Sequence, residues 1–197
     1  MKRTVILVLV AFLSAALVFA QDEQASSQDS LQVADSLQVT EPETSTEPVI
    51  PNDPSSVLQS FFQALKSGDS LMVTTLISSE GLENIEVMLD ILHENLSDDQ
   101  EAVMSRLTSA GYSATSDEIE DWNPEDYLAH TVVLPVMKGR YVLYEMEIGD
   151  YSDENQHLMV PLTFTTASGV QLPFQAELVR EDDQWKVSTF MGLNSFP

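Results

Sequence analysis

From residue 141 onward, apolar side chains alternate with polar ones, keeping to even-numbered positions through three successive runs and to odd-numbered positions in a fourth. Alternation with a period of two is typical of a strand that has one face on a core. The pattern predicts a four-stranded antiparallel sheet over residues 141–191 with one buried face. The side chains predicted to be buried are Val142, Tyr144, Met146, Ile148, Leu158, Val160, Leu162, Phe164, Val170, Leu172, Phe174, Ala176, Leu178, Trp185, Val187 and Thr189.

The same parity predicts how the strands pair, because directly opposed residues lie on one face of a sheet. A loop over residues 167–169 joins the second and third strands and puts Gly169 where a positive φ is needed. Since the buried positions then change from even to odd, the last loop must hold an even number of residues, and residues 180–183 fit. The opposed pairs that follow are Leu162 with Phe174, Leu178 with Trp185 and, on the exposed face, Glu177 with Lys186.

Upstream of the sheet, apolar residues recur at spacings of three and four, which predicts helices over residues 54–138 with a break at Pro135. The clearest stripe consists of Leu82, Ile85, Leu89, Leu92 and Leu96. Residues 97–100 read Ser-Asp-Asp-Gln, a capping box for the next helix. Helices followed by a sheet predict a single α+β domain over residues 54–197, in which the helices pack on one face of the sheet.

The N-terminus predicts export. Lys2-Arg3, a short apolar run and small residues before Gln21 are typical of a signal peptide over residues 1–20. We expect cleavage after Ala20, which would leave a periplasmic or extracellular chain without stable membrane insertion; an uncleaved anchor is the alternative. Residues 21–53 are acidic and poor in apolar residues, with no Lys or Arg, which predicts a disordered acidic linker.

Charge and cysteine content narrow the classes of partner. The chain has 32 acidic and 8 basic residues, a net charge of −24, and loss of Lys2 and Arg3 would change this to 6 − 32 = −26. Such a field opposes binding to nucleic acid or to an anionic membrane. The chain contains no cysteine, so it has no disulfide, no lipid-modified cysteine and no thiol chemistry.

Two stretches resemble a known family. Residues 57–69 (VLQSFFQALKSGD) and 178–187 (LVREDDQWKV) are similar to the first helix and the last hairpin of the nuclear-transport-factor-like, or cystatin-like, superfamily, especially its small secreted bacterial members. The resemblance implies a cone in which a curved sheet wraps the first helix around an apolar pocket. The helical stretch over residues 79–138 is longer than the usual family middle, so a flatter sheet under a helical layer is the alternative. The candidate pocket-lining residues are Phe61, Phe62, Tyr144, Met146, Leu162, Phe174 and Trp185.

Candidate chemistry is sparse. His93, His130 and His157 share no metal-ligand spacing, and His93 and His157 are expected at the surface. Residues 150–155 crowd oxygen ligands into one turn but lack the glycine and closing glutamate of a calcium loop, which favours a plain hairpin turn. We therefore predict no metal site and no cofactor.

An enzyme of this superfamily is the alternative function. Its isomerases and cyclases use a carboxylate base and a phenol donor inside the cone. The predicted buried face carries Tyr144 but no Asp, Glu or His, so a base could come only from the helices, from Asp121, Asp126 or His130.

The sequence thus predicts an exported, non-catalytic binding or interaction module whose partner is a protein or a small apolar ligand. A structural interaction protein without a small-molecule site is a further alternative, and uptake of a lipophilic dye would separate the two. A homodimer through the exposed face of the sheet is also left open. On that face the parity places Tyr141, Leu143, Met159 and Val179.

Overall fold

Seven helices come before four strands in the computed structural model, which describes residues 51–152 and 156–193. The predicted signal peptide and all but the last three residues of the predicted linker lie outside the described residues. The helices are α1 (Pro54–Ser67), α2 (Ser70–Leu76), α3 (Ser79–Asp98), α4 (Gln100–Ala110), α5 (Ser116–Glu120), α6 (Pro124–Val132) and α7 (Pro135–Val142). The strands are β1 (Tyr144–Ile148), β2 (His157–Thr166), β3 (Gln171–Glu181) and β4 (Gln184–Thr189).

Local chemistry explains where α1 begins and ends. Asp53 precedes it, and its Oδ1 accepts a hydrogen bond of 2.9 Å from the backbone N–H of Ser56. Pro54 occupies the first turn, where a missing N–H is harmless. Gly68 ends the helix with a φ of 77°, a conformation that favours glycine.

No helix within the described ranges is long and apolar enough to cross a membrane.

The strands form one curled antiparallel sheet in the order β1-β2-β3-β4, which confirms the predicted α+β class and its cone-like arrangement. Leu162 lies opposite Phe174, as the parity predicts. Gly169 has a φ of 81° in the loop between β2 and β3. Thr166 and Val170 flank this loop and are joined by a backbone hydrogen bond of 2.9 Å.

The predicted register of the last hairpin is wrong by two residues. The turn contains only Asp182 and Asp183, both with positive φ (49° and 63°), as in the tight hairpin turns that match the twist of the strands. Leu178 therefore lies opposite Val187, and Trp185 lies opposite Arg180. The number of turn residues is still even, so Trp185 and Val187 remain buried as predicted.

The predicted cross-strand pair of Glu177 with Lys186 is not formed. Glu177 lies opposite Thr189, and the Lys186 ammonium donates a hydrogen bond to the Thr75 carbonyl oxygen near the end of α2. A cation at this end of a helix is favoured because the last carbonyl groups carry partial negative charge. Lys186 therefore connects α2 to the sheet and is half-buried instead of fully exposed.

The first predicted strand begins too early. Tyr141 and Val142 belong to α7, and the sheet starts at Tyr144. Tyr141 and Met137 are both buried and lie four residues apart, on one face of the helix. The Tyr141 hydroxyl donates a hydrogen bond of 2.8 Å to the Met191 carbonyl oxygen, and burial raises its pKa to about 12.

Other exposure predictions also fail, besides those for Tyr141 and Lys186. Val142, Val170 and Leu172 were predicted to be buried, but they are 59%, 54% and 39% exposed. Val142 ends α7, and the other two lie near the end of the β2–β3 hairpin. Val179 was predicted to be exposed, yet it is buried, at the position opposite His157 on one neighbouring strand and Lys186 on the other.

Candidate functional site

All seven predicted pocket residues belong to the hydrophobic core or pack against it. Phe61, Phe62, Leu162 and Trp185 are buried, while Tyr144, Met146 and Phe174 are partly buried. The Phe62 and Phe164 rings meet edge to face with centroids 5.7 Å apart, and Phe61 and Phe190 do the same at 5.3 Å. Aromatic rings thus occupy the space between α1 and the sheet. That the seven residues line a ligand pocket stays a prediction.

A groove of about 440 Å³ lies elsewhere, on the helical layer. Its walls are formed by α3 and α4, and each helix contributes residues at positions i, i+3, i+4 and i+7, which lie along one helix face. From α3 these residues are Met88, Ile91, Leu92 and Asn95, from α4 they are Val103, Arg106, Leu107 and Ala110, and Tyr127 of α6 completes the lining. The wall is mainly apolar, with two polar side chains.

A sharp turn brings the two walls together. Asp99 is the only residue between α3 and α4, and its Oδ1 accepts a hydrogen bond of 3.1 Å from the Ala102 N–H. The predicted capping box put the cap at Ser97. The cap is instead Asp99, because α3 continues through Asp98. With a single connecting residue, the helices contact each other and their facing stripes form the groove.

The inner part of the groove is buried and uncharged. Val103, Leu107 and Tyr127 are each less than 10% exposed. Burial raises the pKa of Tyr127 and that of its neighbour Tyr112, so both phenols stay protonated near neutral pH. The Tyr112 hydroxyl lies 2.6 Å from Thr131 Oγ1, which donates to the Tyr127 carbonyl oxygen at 2.7 Å. These bonds hold the base of the groove in place.

The outer part of the groove is exposed and holds its two polar side chains. Ile91 is 54% exposed although it is fully apolar. Arg106 Nε donates to the Ala102 carbonyl oxygen at 3.2 Å, and Asn95 Nδ2 donates to the Ile91 carbonyl oxygen at 2.7 Å. Both side chains are therefore held against their own helices.

The three helical residues considered as candidate bases, Asp121, Asp126 and His130, come together in a second depression of about 390 Å³. The His130 ring stacks on Trp122, with centroids 4.6 Å apart and an angle of 14° between the planes. Asp126 already accepts a hydrogen bond of 3.2 Å from the Asn123 N–H as part of a helix cap.

A second carboxylate in this depression is also engaged in capping. The Thr115 N–H donates to Glu118 at 2.7 Å and lowers the pKa of the Glu118 carboxyl, which makes it a weaker base.

The other histidines and the predicted turn lie apart from these features. His157 is exposed, as predicted, and its Nδ1 is 3.8 Å from Glu177. His93 is partly buried, contrary to the prediction, since its Nε2 lies 2.8 Å from the Ile119 carbonyl oxygen and joins α3 to α5. Residues 153–155 of the oxygen-rich turn lie outside the described residues. In the part of the chain that is described, no three His, Asp or Glu side chains are arranged to hold a metal ion.

Comparisons with known proteins add little. No protein-family model matches the sequence, and no curated protein matches it. Among solved structures, the crystal structure of a protein described as an NTF2-like transpeptidase, from Campylobacter jejuni, matches with 12% identity over 68% of this chain and 97% of that chain. The TM-score is 0.34, so the match carries no argument about fold or function.

The α3 side of the groove did not follow from the predicted apolar stripe. That stripe runs from Leu82 to Leu96, and Val87, Met88 and Ile91 lie outside it. A 20-residue helix with apolar residues beyond one face is the signal that would have indicated a second contact surface.

Proposed function

We propose that this chain is an exported, non-catalytic module that binds a small, mostly apolar molecule in the groove between α3 and α4. The observation that carries the proposal is the groove itself, with its apolar walls, buried inner part and two polar side chains at the exterior. Small-molecule sites have this composition, and the volume of about 440 Å³ is within their usual range.

Exposed apolar surface supports the same proposal. Ile91 remains 54% exposed beside partly buried Met88 and Leu92, so a ligand that covered them would remove apolar surface from water. Burial of such surface is favourable by roughly 25 cal/mol per Å² before the costs of binding are subtracted. The groove therefore supplies the main driving force that a lipophilic ligand requires.

The chemistry of the lining favours binding over catalysis. The nine lining residues include no carboxylate and no histidine, and the phenol of Tyr127 has a raised pKa. General acid–base catalysis works best with a group whose pKa is near the working pH.

Catalysis at the second depression has less support. The carboxylates of Asp126 and Glu118 already accept hydrogen bonds from helix caps. The His130 ring is exposed and stacks on Trp122.

A titration with N-phenyl-1-naphthylamine, a neutral dye that fluoresces in apolar surroundings, tests the proposal. We expect saturable binding with one site per chain. Ile91→Gln should weaken binding several-fold because it removes apolar wall. Val87→Gln is the matched control, since Val87 is 59% exposed on the same helix but does not line the groove. Absence of saturable binding would favour an interaction protein without a small-molecule site, and equal effects of the two substitutions would place the dye elsewhere.

Export is tested separately. The basis is the tripartite N-terminus over residues 1–20. N-terminal sequencing of the protein recovered outside the cytoplasm should begin at Gln21. A chain that starts at Met1 in a membrane fraction would instead indicate an uncleaved anchor.

A further inference from the structure

We infer that the ligand of the α3–α4 groove is a single-chain amphiphile with an anionic headgroup, whose carboxylate pairs with Arg106 while its alkyl chain lies along the apolar walls. This inference rests on the proposed binding function and adds the chemical class of the ligand.

Arg106 lies on the groove face of α4. It follows Val103 by three residues and precedes Ala110 by four, so its side chain leaves the same face of α4 as the apolar wall. Its Nε bonds to the Ala102 carbonyl oxygen. A guanidinium has five N–H donors, so this bond leaves four on the terminal nitrogens, the pair of groups that bind carboxylates side by side.

Arg106 has no carboxylate partner within the described residues, in a chain with 32 acidic residues. Three other basic side chains each have a polar partner within the fold. Arg180 lies 3.6 Å from Asp183, and Lys66 donates to the Tyr144 carbonyl oxygen at 3.2 Å. Lys186 donates to the Thr75 carbonyl oxygen. Arg106 is thus a cation in an apolar wall, and an anionic ligand would complement it.

The dimensions favour one alkyl chain of medium length. The α3 wall runs from Met88 to Asn95, eight residues that span about 10 Å along the helix. The volume of about 440 Å³ is near the lower end for small-molecule sites. A single straight chain fits these limits better than a lipid with two chains.

The acidic character of the protein does not prevent this contact. The net charge of −24 repels anions at long range, but charges separated by more than about 8 Å are largely screened at physiological ionic strength. Direct pairing of a carboxylate with a guanidinium acts at hydrogen-bond distance, where screening is weak. The headgroup contact therefore decides between ligands that have the same alkyl chain.

Competition against the bound neutral dye tests the inference in the mature full-length protein. The competitors are decanoate, methyl decanoate and decylamine, which share a chain length and differ in charge. We expect decanoate to displace the dye at a concentration at least about tenfold lower than the ester does, with decylamine the weakest. Arg106→Gln should abolish the preference for the acid over the ester, whereas Arg106→Lys should retain part of that preference.

The outcomes separate this inference from the proposed function. If the protein does not bind the dye at all, the proposed function fails. If the dye binds but acid and ester compete equally, or if Arg106→Gln keeps the preference, only the anionic headgroup is wrong. Dye binding that weakens as protein concentration rises would assign the groove to a second copy of the chain. Dye that binds only after removal of residues 21–50 would assign it to that acidic segment, and either result overturns the inference.

Discussion

Gly81 offers a direct test of how the helical layer is attached to the sheet. A Cβ atom at this position would lie 2.7 Å from Ile77 Cγ1 and 3.0 Å from the Val187 carbonyl oxygen. The same carbonyl accepts a hydrogen bond of 2.9 Å from the Ser78 N–H. The start of α3 therefore sits directly on β4, and Gly81 is small enough to permit the contact.

Gly81→Ala should destabilise the protein. Inserting a methyl group into a packed site costs about 1–3 kcal/mol. Alanine in a helix recovers about 1 kcal/mol relative to glycine, so the expected net loss is up to about 2 kcal/mol. Gly139→Ala is the matched control, because Gly139 lies in α7 with no heavy atom within 4 Å of the added Cβ. There the same substitution should stabilise by about 0.5–1 kcal/mol.

Urea unfolding followed by tryptophan fluorescence measures both changes. The expected result is opposite shifts of the transition midpoint with similar slopes. If Gly81→Ala stabilised the protein as much as Gly139→Ala, α3 would not be in close contact with Ile77 and Val187, and the described attachment of α3 to β4 would be wrong.

Three further predictions concern the core and the N-terminal segment. Trp185→Ala should lower the free energy of unfolding, measured in urea, by about 3–5 kcal/mol because it empties a buried aromatic site. Gln175→Ala, at an exposed position of the sheet, should lower it by less than about 0.5 kcal/mol. Equal losses would contradict the assignment of these residues to the buried and exposed faces. Burial raises the pKa of Tyr141 to about 12, so the stability it contributes should be complete below the unfolded pKa of about 10 and lost as the pH rises toward 12; Tyr141→Phe should show less alkaline destabilisation, and an unchanged profile would refute this cause. A chain shortened to begin at Asp53 should melt within a few degrees of the mature protein, because residues 21–52 hold little apolar surface; a larger decrease in Tm would show that the segment packs on the domain.

Much of the sheet followed from the sequence. The period of two placed Leu162 opposite Phe174 and buried Trp185 and Val187, because neighbouring side chains on a strand point to opposite faces. The order of helices and strands also followed, since the two periods differ and change between α7 and β1. Both features depend only on the side chains of a few consecutive residues, so the pattern of apolar and polar positions is enough to predict them.

Parity could not determine the length of the last turn. A loop of two residues and a loop of four both bury Trp185, and the shorter one requires Asp182 and Asp183 to adopt positive φ. Parity likewise placed Tyr141 in a strand, because a short apolar run is compatible with either period. Its burial in α7 and the Tyr141–Met191 hydrogen bond only appear once the chain is folded.

The groove marks the clearest division between sequence and tertiary structure. The helical period already indicates that α3 is apolar on more than one side, since Ile85 and Leu89 lie on one stripe and Met88 and Ile91 on another. The folded chain shows which stripe is covered: Ile85 and Leu89 are buried, while Met88 and Ile91 line an open groove. The physical reason is that the period of a helix specifies which residues share a face, whereas the cover over each face depends on distant segments and on the one-residue turn at Asp99.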